Sequence, residues 1–287
     1  MTMERIGVMF DRAGRPEDLT SYAAAVEAAG ADDLWVVEDL SWAGGISSAA
    51  LALAATERLR VGIGIMPAPL RNPALLAMEV ATLARVFPCR VVAGVGHGVG
   101  AWMEGVGAGS PTKLALLGET ITALRTLLAG ETLRLAGRTV RVDDLRLVHP
   151  PSEPPPVVAG VVRPRSLALS GEVADGTVLA EGNGPAGVAT ALTHIAPARP
   201  HEVIVFTHLC VSDDPARLAA TAGPVMEEAA GFLGIPPGDA FLASGDAETA
   251  ADRVRALWRA GATTVVLRPV GEDPLDQVRA VLGALRP

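Results

Sequence analysis

The chain has 287 residues, of which 49% are hydrophobic, 20% charged and only 3% aromatic, with a formal net charge of −8. That length allows one large core, built here from Ala, Val, Leu and Ile. The acidic balance argues against a nucleic acid or an anionic membrane as partner. No run of about 18 apolar residues occurs, so no membrane-spanning helix is expected. The start of the chain lacks a basic segment followed by an apolar stretch, so no secretory signal is expected and the chain reads as cytoplasmic. Cys89 and Cys210 lie far apart in apolar runs and read as buried free thiols, not as a disulfide or a metal site.

Taken in chain order, short β-branched runs alternate with Ala/Leu-rich helical patterns. Strands are expected at 6–10, 34–37, 61–65 and 90–95, with helices at 16–29 and 47–56. A further helix starts at Asn72-Pro73, where Asn is the N-cap and Pro the first helical residue, and ends near Val86. After a helix at 112–128, the stretch 130–156 is rich in Arg, Asp and Pro and reads as an inserted hairpin with strands at 139–142 and 145–148. Strands at 157–159, 176–179 and 203–211 follow, with helices at 166–173, 185–195 and 216–232. Asp246 caps a helix that reaches Arg259, Gly261 stops it, and 264–267 is the eighth strand. Strands separated by helices pair in parallel with right-handed crossovers. The expected α/β fold is therefore a single (β/α)8 TIM barrel over residues 1–287, with an insertion after the fourth βα unit.

Several local motifs have plainer readings. Gly96-His-Gly98-Val-Gly-Ala101 fits a dinucleotide loop, yet it follows the fourth strand, and Glu119, near the offset of a ribose-binding acid, sits mid-helix. A glycine loop that brings backbone close to a ligand at a strand end fits better. Ser110-Pro-Thr-Lys113 has the acyl-transfer spacing but none of its companion motifs, and Ser before Pro is an ordinary helix start. Lys113 is also the only lysine among 24 basic residues. The five histidines show no ligand spacing, so no metal is expected. In a barrel the C-terminal strand ends converge on one mouth, which would gather Glu38, Asp39, Trp42, Gly64, His97, Gly98, the 160–166 loop, Glu181 and Arg268.

These segments, in this order, resemble the luciferase-like monooxygenase superfamily, TIM-barrel enzymes that use FMN or the deazaflavin coenzyme F420. AAGADDLWVVEDL is similar to its second strand, LALAATERLRVGIGIMPAPLRNPALLAMEVATLARV to the segment from helix two through helix three, and RVVAGVGHG to the fourth strand. PRSLALSGEVADGTVL and GDAETAADRVRALWRAGATTVVLRP are similar to later units. The resemblance implies a flavin-type ring in the barrel mouth, supported by a non-proline cis peptide that maps onto Gly64–Ile65. It places Trp42 against the ring and cofactor contacts at Gly98 and Val162. It also assigns the anionic tail to Arg163, Arg165 and Ser166, with Arg268 beside the loops that often hold phosphate. His97 is the expected proton-transfer group, because its unperturbed pKa lies near neutrality, with Glu38 or Asp39 orienting it or serving as the acid.

The chain also departs from the family pattern. Asp39 stands where a His is usual, Val99 where some deazaflavin enzymes carry an acid, Trp102 at a polar contact, Arg163 at a glycine and Asn183 at a lysine. The leading expectation is F420-dependent hydride transfer to or from a small organic substrate. The alternatives are an FMN-dependent monooxygenase fed by a partner flavin or F420 reductase, and a barrel that binds its ligand without turnover. Family members commonly dimerise through early helices, and the Ala-rich face Ala49, Ala50, Leu53 and Ala54 allows either a close homodimer contact or packing on the barrel.

Overall fold

The computed structural model describes residues 4–285. In chain order the first half contains β1 (Arg5–Met9), α1 (Leu19–Ala28), β2 (Asp33–Val36), α2 (Gly45–Ala54), β3 (Arg60–Pro67), α3 (Pro73–Val86), β4 (Val91–Gly96), α4 (Gly100–Gly105) and α5 (Lys113–Leu128). After β5 (Leu133–Ala136) and β6 (Arg141–Leu145) come β7 (Val157–Gly160), α6 (Pro164–Val173), β8 (Gly176–Leu179), α7 (Pro185–Ile195) and β9 (Glu202–Val211). The chain ends with α8 (Pro215–Leu233), β10 (Ala243–Gly245), α9 (Ala247–Arg259), β11 (Thr264–Pro269) and α10 (Pro274–Leu285).

Strands β1 to β4, β7 to β9 and β11 pair in parallel around a closed ring, with Arg5 opposite Thr264 and Gly176 opposite Glu202 at the two closing ladders. This is the expected eight-stranded TIM barrel. Asn72 caps α3 by accepting from the Ala74 amide, and Asp246 caps α9 by accepting from Thr249, both as read from sequence. The short helix α4 and the strand β10, which extends the sheet beside β9, were not expected.

The inserted hairpin is antiparallel but displaced from the expected positions, of which 139–142 covers its turn and the start of β6 and 145–148 begins where β6 ends. The reason is Glu119 on α5. Its carboxylate accepts the amides of Arg138, Thr139 and Val140 and the Thr139 hydroxyl at 2.6–2.8 Å, fixing 138–140 as the turn. Partial burial pushes the Glu119 pKa up, but these hydrogen bonds outweigh it and bring it down to about 2. A depressed carboxylate contributes stability above its unfolded pKa and loses it as pH falls through the folded value. The 138–140 amides are therefore expected to exchange faster as pH drops from about 4.5 towards 2, relative to other protected amides, and Glu119→Gln should remove that dependence. Unchanged relative protection across that range would show that the carboxylate does not hold the turn.

Along each barrel strand, alternate residues face the interior. At the N-terminal end of the barrel, Asp33 is fully buried between Arg5 and Arg60, and Arg60 also reaches Glu202 at 3.0 Å. Above them an inner core holds Trp35 and Phe206 edge to face, 5.3 Å apart, among Met9, Val92, Val158 and Val178. A Cβ on Gly62 would stand 2.5 Å from the Trp35 ring, so this strand needs glycine to accept the indole. A larger core lies between the strands and the helices.

Ala49 and Leu53 are buried in that outer core, while Ala50 is half-buried and Ala54 exposed, so the four residues do not share one face of α2. Cys210 is buried as expected. Cys89 is exposed, with Sγ 2.8 Å from Glu153, because it follows Pro88 in the turn into β4. At the contact between α6 and α7, a Cβ on Gly171 would collide with the Ile195 carbonyl oxygen. Gly171→Ala is expected to lose at least about 1–3 kcal/mol in denaturant titration. A loss below that range would show that the two helices can move apart freely.

Candidate active site

The mouth of the barrel is shaped by β3. Its register against β4 shifts between Ile63 and Met66, and the Gly64–Ile65 peptide is cis, as the family resemblance implies. Past this bulge the Ile65 side chain lies over bare backbone. A Cβ on Gly160 would stand 2.5 Å from it, and one on Gly96 2.8 Å. These glycines therefore hold open the space in which Ile65 forms part of a cavity floor. The cavity is about 500 Å³ and is lined by apolar groups, including Met9, Val37, Ile65, Val178 and Phe206, within the range of sites that enclose a cofactor or small substrate.

Glu38, Asp39, Gly64, Ile65, His97, Gly98, Val162, Arg163, Ser166 and Arg268 all line this cavity. Gly98 has φ +67°, with Pro67 Cβ and Met103 Sδ 3.0 Å from where a Cβ would be, so glycine is required there on both counts. Two expected residues lie elsewhere. Trp42 is half exposed outside the cavity, stacked on the Arg12 guanidinium at 5.7 Å. Arg165 faces an adjoining groove.

His97 is not oriented by a carboxylate. Its Nε2 lies 3.1 Å from Ser166 Oγ, near the start of α6. Burial first, and then the nearby Lys113 ammonium, hold its pKa below the usual 6.5. The two strand-two acids are engaged elsewhere. Glu38 takes both ends of Arg71, at 3.1 and 2.6 Å, and the Gly45 amide. Asp39 pairs with Arg12 at 2.9 Å. The expected carboxylate–imidazole pairing fails because loop arginines reach those carboxylates first.

Arg268 is likewise committed, to Asp11 at 2.8 Å and Glu181 at 3.3 Å. Burial works against charging these groups. The Ala13 amide and the Arg268 and Arg12 guanidiniums nevertheless hold Asp11 below the usual carboxylate range, and the two carboxylates hold Arg268 above its own. Arg268 thus brings no spare positive charge to a phosphate. The free cations lie on the opposite wall. A groove that shares His97, Gly98, Arg163 and Ser166 with the cavity also carries Lys113, Arg138 and Arg165, and none of these four basic residues forms an ion pair among the described residues. The facing acids are Glu104 and Glu119, and Glu119 is held by the hairpin turn.

His208 was missed. It is 2% exposed on β9, lines the cavity, and has no hydrogen-bond partner at either ring nitrogen. Two-residue alternation from the interior residues Ile204 and Phe206 would have placed it there. Among the described residues no cluster of His, Cys, Asp or Glu is suited to hold a metal, and no helix is long and apolar enough to cross a membrane.

Comparison with known proteins gives this geometry a context. The chain is 29% identical over 182 residues to an F420-dependent glucose-6-phosphate dehydrogenase of Nakamurella multipartita, covering 59% of this chain and 54% of that protein. It is 27% identical over 202 residues to a 5,10-methylenetetrahydromethanopterin reductase of Methanolobus tindarius, covering 68% and 61%. The chain thus spans little more than half the length of the curated relatives it matches. The coenzyme F420 dependent tetrahydromethanopterin reductase of Methanopyrus kandleri shares its fold, with a TM-score of 0.84 over 99% of this chain and 98% of that one at 19% identity. The luciferase-like monooxygenase family model matches residues 1–264, and with that match over nearly the whole barrel the chain belongs to the luciferase-like monooxygenase family.

Proposed function

We propose that the chain is an oxidoreductase that binds coenzyme F420 and transfers a hydride to or from a small organic substrate. The observation that carries this reading is the run of unpaired cations, Lys113, Arg138, Arg163 and Arg165, along a groove open to the cavity. A deazaflavin has a long, multiply anionic tail that such a groove would hold, whereas FMN ends in a single phosphate. The relatives described as F420-dependent point the same way. The residues present fit such a group. The apolar floor and the glycine-backed Ile65 leave room for a planar ring, and Arg163 and Arg165 beside the start of α6 suit a phosphate.

When bound, the deazaflavin supplies the two-electron hydride chemistry. The chain's own groups supply the rest. Met9, Val37, Val178 and Phe206 keep water from the cavity floor. His97, neutral near pH 7 because of its lowered pKa, can take the hydroxyl proton of an alcohol or return it to a carbonyl, relayed through the Ser166 hydroxyl that lies at its Nε2. In this reading Asp39 and Glu38 position loops and do not move protons.

Titration of the purified protein tests the cofactor. Oxidised F420 is expected to lose its fluorescence on binding at micromolar levels, with FMN binding more weakly. Tighter FMN binding with oxygen uptake on reduced FMN would replace this reading with the monooxygenase one, which needs a reductase partner. Indifference to both would end both readings. We further propose a cytoplasmic homodimer that uses the exposed Leu51, Leu75 and Met78 on α2 and α3. A monomer by sedimentation at micromolar concentration would count against the dimer.

A further inference from the structure

Resting on the F420 reading, we propose that the cavity wall formed by Arg12, Glu181, His208, Glu228 and Arg268 binds an uncharged alcohol or ketone through His208, and that phosphorylated sugars are rejected. The first observation is His208 itself. A buried polar side chain normally has a partner, and one without any marks a place for a ligand or an ordered water. His208 is 2% exposed, lines the cavity, and has both ring nitrogens unpaired. It continues the inward face of β9 one step above Phe206 and sits opposite Arg268 in the β9–β11 register. Burial favours the neutral imidazole, which donates at one nitrogen and accepts at the other. That pair of functions complements a hydroxyl group, and the donor alone complements a carbonyl oxygen.

The second observation is the charge around it. Arg12 holds Asp39 at 2.9 Å and Glu228 at 3.3 Å, and Arg268 holds Asp11 and Glu181. Two guanidiniums thus stand among four carboxylates, which leaves this wall with an excess of two negative charges. A phosphate dianion beside His208 would face only guanidiniums that are already paired, Arg12 and Arg268, and would be repelled by the surplus carboxylates. The unpaired cations lie on the other wall, around Arg163 and Lys113. The cavity is therefore polarised. One side suits the anionic tail of a cofactor, and the other suits a neutral molecule with one hydrogen-bonding oxygen.

The test uses the full chain with ¹⁵N-labelled histidine, with and without F420, and follows the His208 ring resonances, assigned with His208→Gln. The probes are cyclohexanone, cyclohexanol and glucose 6-phosphate. The neutral probes are expected to shift the His208 resonances and glucose 6-phosphate is not. Their affinity should fall about tenfold in His208→Leu, as for one lost hydrogen bond, and be largely retained in His208→Gln. If His208→Leu does not fold, the resonances of the unmodified protein and the His208→Gln affinities still decide. The proposal is overturned if no neutral probe moves His208, if His208→Leu binds the neutral probes as the unmodified chain does, or if glucose 6-phosphate binds more tightly than they do. Failure to quench F420 would instead remove the cofactor reading, and the neutral probes on unloaded protein would still report on His208.

Discussion

Asp33→Asn is expected to destabilise the protein by about 3–5 kcal/mol, the cost of breaking a buried ion pair from one side. Asp33 is fully buried at the end of the barrel away from the cavity, and each of its oxygens faces a guanidinium, Arg5 on one side and Arg60 on the other. Burial opposes a charged Arg60, yet Asp33 and Glu202 together hold it firmly ionised. With asparagine in place, Arg60 keeps Glu202 and Thr264 and Arg5 keeps the Asp32 carbonyl, but both lose the buried negative charge between them. The exposed pair Arg134–Asp144 in the hairpin is the control. Its removal should cost no more than about 1 kcal/mol. Denaturant titration separates the two, with the midpoint moving and the slope unchanged. A loss below about 1 kcal/mol for Asp33→Asn would mean that water reaches the arginines and that the plug is not a buried network.

The barrel was legible because each βα unit carries its own local signals. Asn72-Pro73 and Asp246 start helices as read, and the β-branched runs become the eight strands. The cavity followed from topology, since the C-terminal strand ends gather at one mouth, although Trp42 and Arg165 in the loops beyond them lie outside it. Partnerships were not legible. Nothing in the spacing shows that Arg71 captures Glu38, that Arg12 captures Asp39, or that Ser166 takes His97. These contacts join loops whose conformations depend on packing that sequence periodicity does not encode. The hairpin was shifted for the same reason, because a residue on α5 chooses its turn. His208 is a different case. Its signal, the alternation along β9, was present in the sequence, but a search for metal spacing among histidines does not read strand parity.

His97→Phe is expected to lower kcat/KM by about 10²–10⁴-fold, the range for removing a general acid–base group, and to abolish one limb of the pH profile. His97 is held below 6.5 by burial and by Lys113. For alcohol oxidation the neutral ring is the active form, so kcat/KM should rise with pH through that lowered value and be flat above it. For carbonyl reduction the protonated ring is needed, and the same limb runs in the opposite direction. Lys113→Gln removes one of the two causes of the shift. The His97 pKa should then move back up towards 6.5, and the limb should move to higher pH in both directions of reaction. Lys113 also lines the tail groove, so its variant is compared at saturating cofactor, where weaker cofactor binding no longer affects the rate. Ser166→Ala takes away the partner at Nε2 and should lower the rate without the full loss seen for His97→Phe. A limb that stays in place in Lys113→Gln, or that survives in His97→Phe, would assign the titration to another group and leave His97 a structural neighbour of Ser166.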